Sequence, residues 1–197
     1  TQLAVVTTAN GTRIVLWNFN GSALSYVTLV GSGEYTCCSY SADGNYITFG
    51  SNLNLVTYNV SSGTLGSSTT FNHSPQTYTN QVAYMSSGQL AACSNGTGGQ
   101  TLHIFNNTSG TLSVQDSTST TDSQGTTVGC DRLDVTNDNM YLAGVAISTS
   151  YQRVTLFELD GSGNFVGTAD TYDGSNSSTR FENVAFSNGM RNVITSP

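Results

Sequence analysis

Short runs of apolar and β-branched residues, separated by turns rich in Gly, Asn, Asp and Ser, extend along the whole chain. Runs of this length with these boundaries are typical of β-strands, because a helix needs a longer segment with a 3.6-residue period. Polar tetrapeptides such as AlaAspGlyAsn after Ser41 favour tight hairpins between the strands. The pattern therefore predicts an all-β fold with very little helix.

Four of these runs are related to one another, because each ends in an aromatic residue and is followed by a Gly-containing turn. They are RIVLWNFNGSAL from Arg13, NLVTYNVSSGTL from Asn54, TLHIFNNTSGTL from Thr101 and RVTLFELDGSGNF from Arg153. The aromatics at equivalent positions are Trp17, Tyr58, Phe105 and Phe157. Their spacing corresponds to a repeat of about 40 to 50 residues, which accommodates four short strands.

A second set of segments carries the tight hairpins, and three of its members precede one of the runs above. They are SYSADGNYITFGS from Ser39, AYMSSGQLAACS from Ala83, DVTNDNMYLAGVA from Asp134 and AFSNGMRNVITS from Ala185. The repeat is thus strand, tight turn, strand, short loop, strand, SerGly turn, strand. We predict one domain over residues 1–197, built as a β-propeller of about four four-stranded blades.

The chain opens and closes partway through a repeat, and both end pieces resemble the second strand of a blade. An unpaired strand promotes association. We expect the end blades to be completed by the chain's own last strands, by an adjoining segment of a longer array or by a neighbouring chain. Because the chain begins at Thr1 without a signal-peptide pattern, we interpret it as a processed or excerpted segment.

These repeats resemble the YVTN and WD-repeat propeller superfamily, especially its lactonase-like group. The most similar segments are YITFGSNLNLVTYNVSSGTL, from Tyr46 to Leu65, and YLAGVAISTSYQRVTLFELDGSGNF, from Tyr141 to Phe165. The resemblance implies a propeller fold over nearly the whole chain. No catalytic residue of that group matches a position here, so the resemblance implies nothing about activity.

Charged residues make up only 9% of the chain, with a net charge of -7 and five arginines as the only basic residues besides histidine. Nucleic acids and anionic membranes bind to clustered basic residues, which this composition does not supply. No apolar stretch approaches the roughly 20 residues of a membrane span. We therefore expect neither nucleic-acid binding nor membrane insertion.

Asn-Xaa-Ser/Thr acceptor sites for N-glycosylation are frequent. They begin at Asn10, Asn20, Asn59, Asn72, Asn95, Asn106, Asn107 and Asn176. Asn20, Asn59, Asn106 and Asn107 lie in or beside the SerGly turn, where a glycan has room. Asn72 is the weakest site because Pro75 follows it closely, and the adjacent Asn106 and Asn107 are not expected to be modified together. Covalent glycans would place the protein outside the cell, secreted or at the surface.

The four cysteines have no CxxC spacing that would indicate zinc. Cys37 and Cys38 are neighbours in a predicted strand, so their side chains point to opposite faces and do not bond to each other. One of them could pair with Cys93 or Cys130. The alternative is that all four are small buried apolar residues.

The sequence contains no nucleophile elbow, phosphate loop or paired catalytic constellation, and we predict no enzyme activity, metal or cofactor. The leading hypothesis is a non-enzymatic structural or interaction module of an extracellular glycoprotein. It would self-associate through its terminal strands as the protomer of a filament or surface layer. The alternative hypothesis is a ligand-binding, lectin-like propeller or a lactonase-like enzyme.

Overall fold

The computed structural model describes residues 2–7, 13–30, 35–52, 54–73, 78–95, 101–147, 152–174, 181, 183–187 and 193–196. Within these residues every regular element is a β-strand, as the sequence predicts. The same residues include no helix long and apolar enough to cross a membrane.

The strands form five antiparallel sheets and one additional short hairpin. The first sheet contains β1 (Gln2–Thr7), β2 (Arg13–Phe19) and β3 (Leu24–Val30). The second contains β4 (Tyr35–Tyr40), β5 (Tyr46–Ser51), β6 (Asn54–Asn59) and β7 (Ser68–Asn72). The third contains β8 (Tyr78–Tyr84), β9 (Leu90–Asn95), β10 (Leu102–Thr108) and β11 (Thr111–Thr118).

The hairpin of β12 (Thr120–Thr121) and β13 (Thr127–Val128) follows. The fourth sheet contains β14 (Cys130–Val135), β15 (Tyr141–Ile147), β16 (Gln152–Leu159) and β17 (Phe165–Asp173). The terminal sheet contains β18 (Asn183–Phe186) and β19 (Val193–Ser196). In every sheet the strands lie side by side in chain order, so each sheet is a simple meander.

The turn between the first two strands of a sheet is built by short polar side chains. In the second sheet the Ser41 hydroxyl donates to the Asp43 carboxylate over 2.6 Å and to the carbonyl of Tyr46 over 3.1 Å. The fourth sheet repeats this arrangement, with Thr136 donating to Asp138 over 2.6 Å. The fourth residue of each such turn has a positive φ: Gly44 at 71°, Gly88 at 90° and Asn139 at 58°. Gly and Asn tolerate that conformation best, which explains their recurrence in the sequence.

Successive sheets pack face to face, and each interface has its own apolar cluster. The cluster between the first and second sheets includes Ala4, Val6, Leu16, Ile47 and Phe49. Between the second and third sheets lie Leu55, Phe71, Leu90, Ala92 and Phe105. Between the third and fourth lie Ala91, Cys93, Ile104, Cys130 and Leu142. Between the fourth and terminal sheets lie Ala143, Val145, Val154, Phe181 and Val184.

Three sheets are complete four-stranded units, and the first and terminal sheets are smaller. The four equivalent aromatics lie on β2, β6, β10 and β16, so β1 is equivalent to the second strand of a complete sheet. At the other end, β18 packs on β14 in the position of a first strand, and β19 follows as the second. The C-terminal piece therefore contains a first as well as a second strand, which corrects its interpretation as a second strand alone.

Candidate functional site

The first sheet is apolar on both faces, although only one of them is covered by the second sheet. Leu3 and Val5 alternate with the packed residues of β1 and point the other way. Leu3 pairs with Trp17, which pairs in turn with Tyr26. We call this surface the open face and define it as Leu3, Val5, Trp17, Phe19, Leu24 and Tyr26. Contiguous exposed apolar surface of this kind marks interaction sites in folded proteins.

Comparison of equivalent positions shows that the open face has the pattern of a buried one. Leu3 lies opposite the repeat aromatic, as do Ile47, Leu90 and Leu142 in the complete sheets. Those three residues are 0% exposed, because each packs on the preceding sheet, whereas Leu3 is 44% exposed. The same difference in exposure is found two residues further along these strands, on the same face. Val5 is 38% exposed, while Phe49 and Ala92 are 0% exposed.

The strand β1 also lies at the edge of its sheet, since it pairs only with β2 among the described residues. In the complete sheets the equivalent strand pairs on that side with a first strand. An edge strand presents backbone N–H and C=O groups to any further strand. The first sheet thus has an unpaired edge beside its open face.

In the terminal sheet, β18 is packed on one face and exposed on the other. Val184 is buried against the fourth sheet, and the N–H of Phe186 donates to the carboxylate of Asp134 over 2.6 Å. Asn183 and Ala185 alternate with these residues and are exposed. The side chains described on this second surface, those of Asn183 and Ala185, are short, whereas those of the open face are large and apolar.

The sequence reasoning missed the open face, although a signal for it is present. The segments QLAVVT and RIVLWNF are apolar at consecutive positions, whereas a strand with one solvated face alternates. A strand that is apolar on both sides is typical of a sheet that is buried on both faces.

The predicted glycosylation sites are distributed over several turns and strand ends. Asn20 and Asn106 are exposed, and Asn59 is half-buried at the end of β6. In the β2–β3 turn the Oδ1 atom of Asn20 accepts hydrogen bonds from the N–H groups of Ser22 and Ala23. These contacts use Oδ1, whereas N-linked sugar is attached at Nδ2. Asn10 and Asn176 lie outside the described residues.

Asn107 is less suited to modification than its neighbour Asn106. Its Nδ2 atom donates to the hydroxyl of Tyr84 over 2.8 Å, and its Oδ1 atom accepts from the N–H of Gly110 over 2.8 Å. A sugar on Asn107 would have to replace the first of these contacts. The exposed Asn72 and Asn95 lie on β7 and at the end of β9.

The four cysteines are free thiols and lie at three of the four interfaces between sheets. Cys38 packs in the cluster between the first and second sheets, and Cys37 in the one between the second and third. Their side chains therefore point to opposite faces, as the strand alternation predicts. Cys93 and Cys130 are fully buried together between the third and fourth sheets. Burial raises the pKa of both Cys37 and Cys38 to about 11.

The two histidines, which are far apart in sequence, meet at the interface between the second and third sheets. The rings of His73 and His103 are 4.5 Å apart, centre to centre, and both contact Phe105. His73 is buried, and the structure provides no hydrogen-bond partner for its Nε2 atom. Its burial, and secondarily the proximity of His103, lowers the pKa of His73 to about 3. His73 is therefore a neutral member of an aromatic cluster.

A shallow groove with a volume of about 240 Å³ lies between β11 and β17. Asp116, Phe157 and Phe165 line it, and the Asp116 carboxylate accepts a hydrogen bond from the N–H of Phe165 over 2.8 Å. Ligand sites usually enclose 300 Å³ or more. The groove therefore does not favour a ligand-binding function.

No protein-family model and no curated protein matches this chain. Its fold is similar to that of part of hydrazine synthase from Kuenenia stuttgartiensis, with a TM-score of 0.62 over 88% of this chain. The two sequences are 9% identical, so the likeness concerns the fold alone. This chain covers 46% of the hydrazine synthase chain, which is less than half of its length.

Proposed function

We propose that this chain is a non-enzymatic structural module of an extracellular glycoprotein, whose copies associate head to tail into a filament or surface layer. We further infer that its sheets are the blades of a propeller-like stack. The observation that carries the proposal is the exposure of Leu3 and Val5 at positions that are completely buried in the complete sheets. Exposed apolar side chains of this size gain about 1.5–3 kcal/mol each when they are fully buried.

The proposed occupant of the open face is the terminal sheet of a second copy. At each interface within the chain, the face carrying Ile47, Leu90 or Leu142 is covered by the preceding sheet. In an assembly of copies, the sheet that precedes the first sheet would be the terminal sheet of the neighbouring copy. The exposed face of β18 in that copy would then cover the open face.

The low charge of the chain fits this assembly. Between neighbouring copies the interface would hold few charges that have to be desolvated, because only 9% of the residues are charged. The ion pair of Arg153 with Asp173, at 2.6 Å, lies on the fourth sheet and away from the open face. Glycans at the turns would supply hydration and discourage lateral contacts.

Association should fail when charge is placed on the open face. We expect the double variant Leu3→Asp with Val5→Asp to weaken self-association at least ~100-fold, because two carboxylates would have to be buried with no partner. Analytical ultracentrifugation over a concentration series measures this change.

The matched control is Val166→Asp, which replaces an apolar residue that is 64% exposed on β17 and does not belong to the open face. It should leave association unchanged. The proposal is wrong if the natural chain stays monomeric at every concentration reached, or if the control variant disrupts association equally.

Site occupancy should follow the geometry of the turns when the chain is expressed through a eukaryotic secretory pathway. We expect sugar at Asn20 and Asn106 and none at Asn107, because Asn107 uses its Nδ2 atom in the contact with Tyr84. Glycopeptide mass spectrometry reports each site. Asn20→Gln and Asn106→Gln should each remove one glycan, and Asn107→Gln should remove none. A secreted chain that carries no sugar at all would contradict the glycoprotein assignment.

A further inference from the structure

The cysteine pair at the centre of the chain, Cys93 on β9 and Cys130 on β14, has no role in the assembly described above. Both residues are 0% exposed and belong to one apolar cluster. They come from different sheets and are separated by two further strands and the β12–β13 hairpin. Their meeting is therefore a product of the sheet stacking.

The backbones around the two cysteines approach each other closely. The side-chain amide of Asn80 donates to the carbonyl oxygen of Cys130 over 2.7 Å, which fixes the start of β14 against the third sheet. A Cβ atom placed on Gly129 would lie 3.2 Å from the Cα atom of Asn95. The glycine at position 129 thus permits β14 to start directly beside the end of β9.

The two side chains belong to the same apolar cluster. Burial, and secondarily the neighbouring Cys130 side chain, raise the pKa of Cys93 well above its ordinary range. The Cys130 sulfur also lies 3.4 Å from the carbonyl oxygen of Arg132. Two adjacent thiols in an apolar interior have only weak hydrogen-bonding partners, so their replacement by an S–S bond removes no strong contact.

The other two cysteines lie at different interfaces. Cys93 shares its face of β9 with Ala91, which packs toward the fourth sheet. Cys37 contacts the opposite face of the third sheet, and Cys38 points toward the first sheet. The third sheet therefore separates Cys37 from the Cys93 side chain.

We propose that Cys93 and Cys130 form a disulfide bond that links the third sheet to the fourth when the chain folds in an oxidising compartment. The oxidant is a disulfide, either a small molecule such as glutathione disulfide or a dithiol oxidase. One cysteine thiolate attacks the oxidant and releases a thiol, giving a mixed disulfide. The second cysteine thiolate then attacks the protein sulfur of that mixed disulfide and releases the second thiol.

The bond forms before the two sheets close over it. A thiolate is the attacking species, and a fully buried thiol with a raised pKa is unreactive. Once formed, the bond is shielded from reductants by the same burial. This inference is independent of the self-association proposal, because neither cysteine lies on the open face.

The test uses chain folded with reduced and oxidised glutathione, then denatured in an alkylating agent without reductant. Cleavage before each aspartate separates the cysteines into residues 1–42, 43–115 and 122–130. We expect mass spectrometry to find 43–115 joined to 122–130, and to find Cys37 and Cys38 alkylated. Alkylation of all four cysteines, or a link from 1–42 to either other peptide, would overturn the proposal.

A stability measurement provides the second readout. The oxidised chain should melt about 8–15 °C above the reduced chain, because the bond closes a loop of roughly 40 residues in a domain of this size. In the double variant Cys93→Ala with Cys130→Ala, oxidant should no longer change the melting temperature. The control Cys38→Ala should keep both the link and the shift, and an unchanged shift in the double variant would refute the assignment.

Discussion

Replacing Phe105 by alanine should destabilise the chain by about 3–5 kcal/mol, whereas the equivalent replacement of Trp17 should cost less than half as much in the monomer. Phe105 is 0% exposed, and its ring packs edge-to-face on Phe71 at a centroid distance of 5.1 Å. Trp17 occupies the same repeat position on the open face and is only partly buried. Its ring packs edge-to-face on Tyr26 at a centroid distance of 5.8 Å.

Urea unfolding at low protein concentration measures both variants against the natural chain. Because Trp17 and Phe105 are equivalent in the repeat, the difference between them reports whether a preceding sheet covers the first one. A Trp17→Ala cost as large as that of Phe105→Ala would show that the open face is covered within a single chain. That outcome would contradict an intermolecular occupant and favour closure by the chain's own last strands.

Acidification below about pH 6.5 should destabilise the protein through His73. Burial and the nearby His103 lower the pKa of His73 from 6.5 to about 3 in the folded chain. The unfolded chain therefore takes up a proton that the folded chain excludes, and stability is lost progressively between these two values. The expected loss from this residue alone is roughly 2–3 kcal/mol by pH 4.5.

Chemical unfolding at pH 7 and at pH 4.5 measures this loss, and His73→Phe supplies the comparison. Phenylalanine keeps the ring contacts with Phe71 and Phe105 but does not titrate, so the dependence on pH should shrink by the stated amount. Asp43 and Asp173 contribute little to the pH dependence in this range. A hydrogen bond from Ser41 lowers the pKa of Asp43, and one from Arg153 lowers the pKa of Asp173. The contributions of these two carboxylates to stability are therefore lost only at lower pH. An unchanged pH dependence in His73→Phe would exclude His73 as its source.

Much of the fold could be predicted because its signals are local. The alternation of apolar residues, the Gly and Asn turns and the four equivalent aromatics placed the strands correctly. The structure then puts Trp17, Tyr58, Phe105 and Phe157 on equivalent strands, each opposite a residue of the strand before it. The separation of Cys37 from Cys38 followed from the two-residue period of a strand alone.

The number of strands in each sheet could not be obtained in the same way. Repeat counting predicted about four four-stranded units with an incomplete unit at each end of the chain. The described residues form three complete sheets, with a three-stranded and a two-stranded sheet beside them. A sequence repeat identifies a strand by its own residues but does not say which neighbour it pairs with. The hairpin turn in the segment from Ala185 resembles the hairpin turns of the other repeats. Only the packing of β18 on β14 shows that β18 has the position of a first strand.

By itself, the sequence determined the class of this protein: all-β, repetitive, poorly charged and rich in glycan acceptor sites, because each of these properties resides in short segments or in composition. The tertiary structure decided which of its surfaces and side chains meet. Leu3 is ordinary in sequence and becomes notable only because its counterparts Ile47, Leu90 and Leu142 are buried. Cys93 and Cys130, like His73 and His103, are distant in the chain and are brought together by sheet stacking. Such contacts depend on long-range packing, which no local pattern encodes.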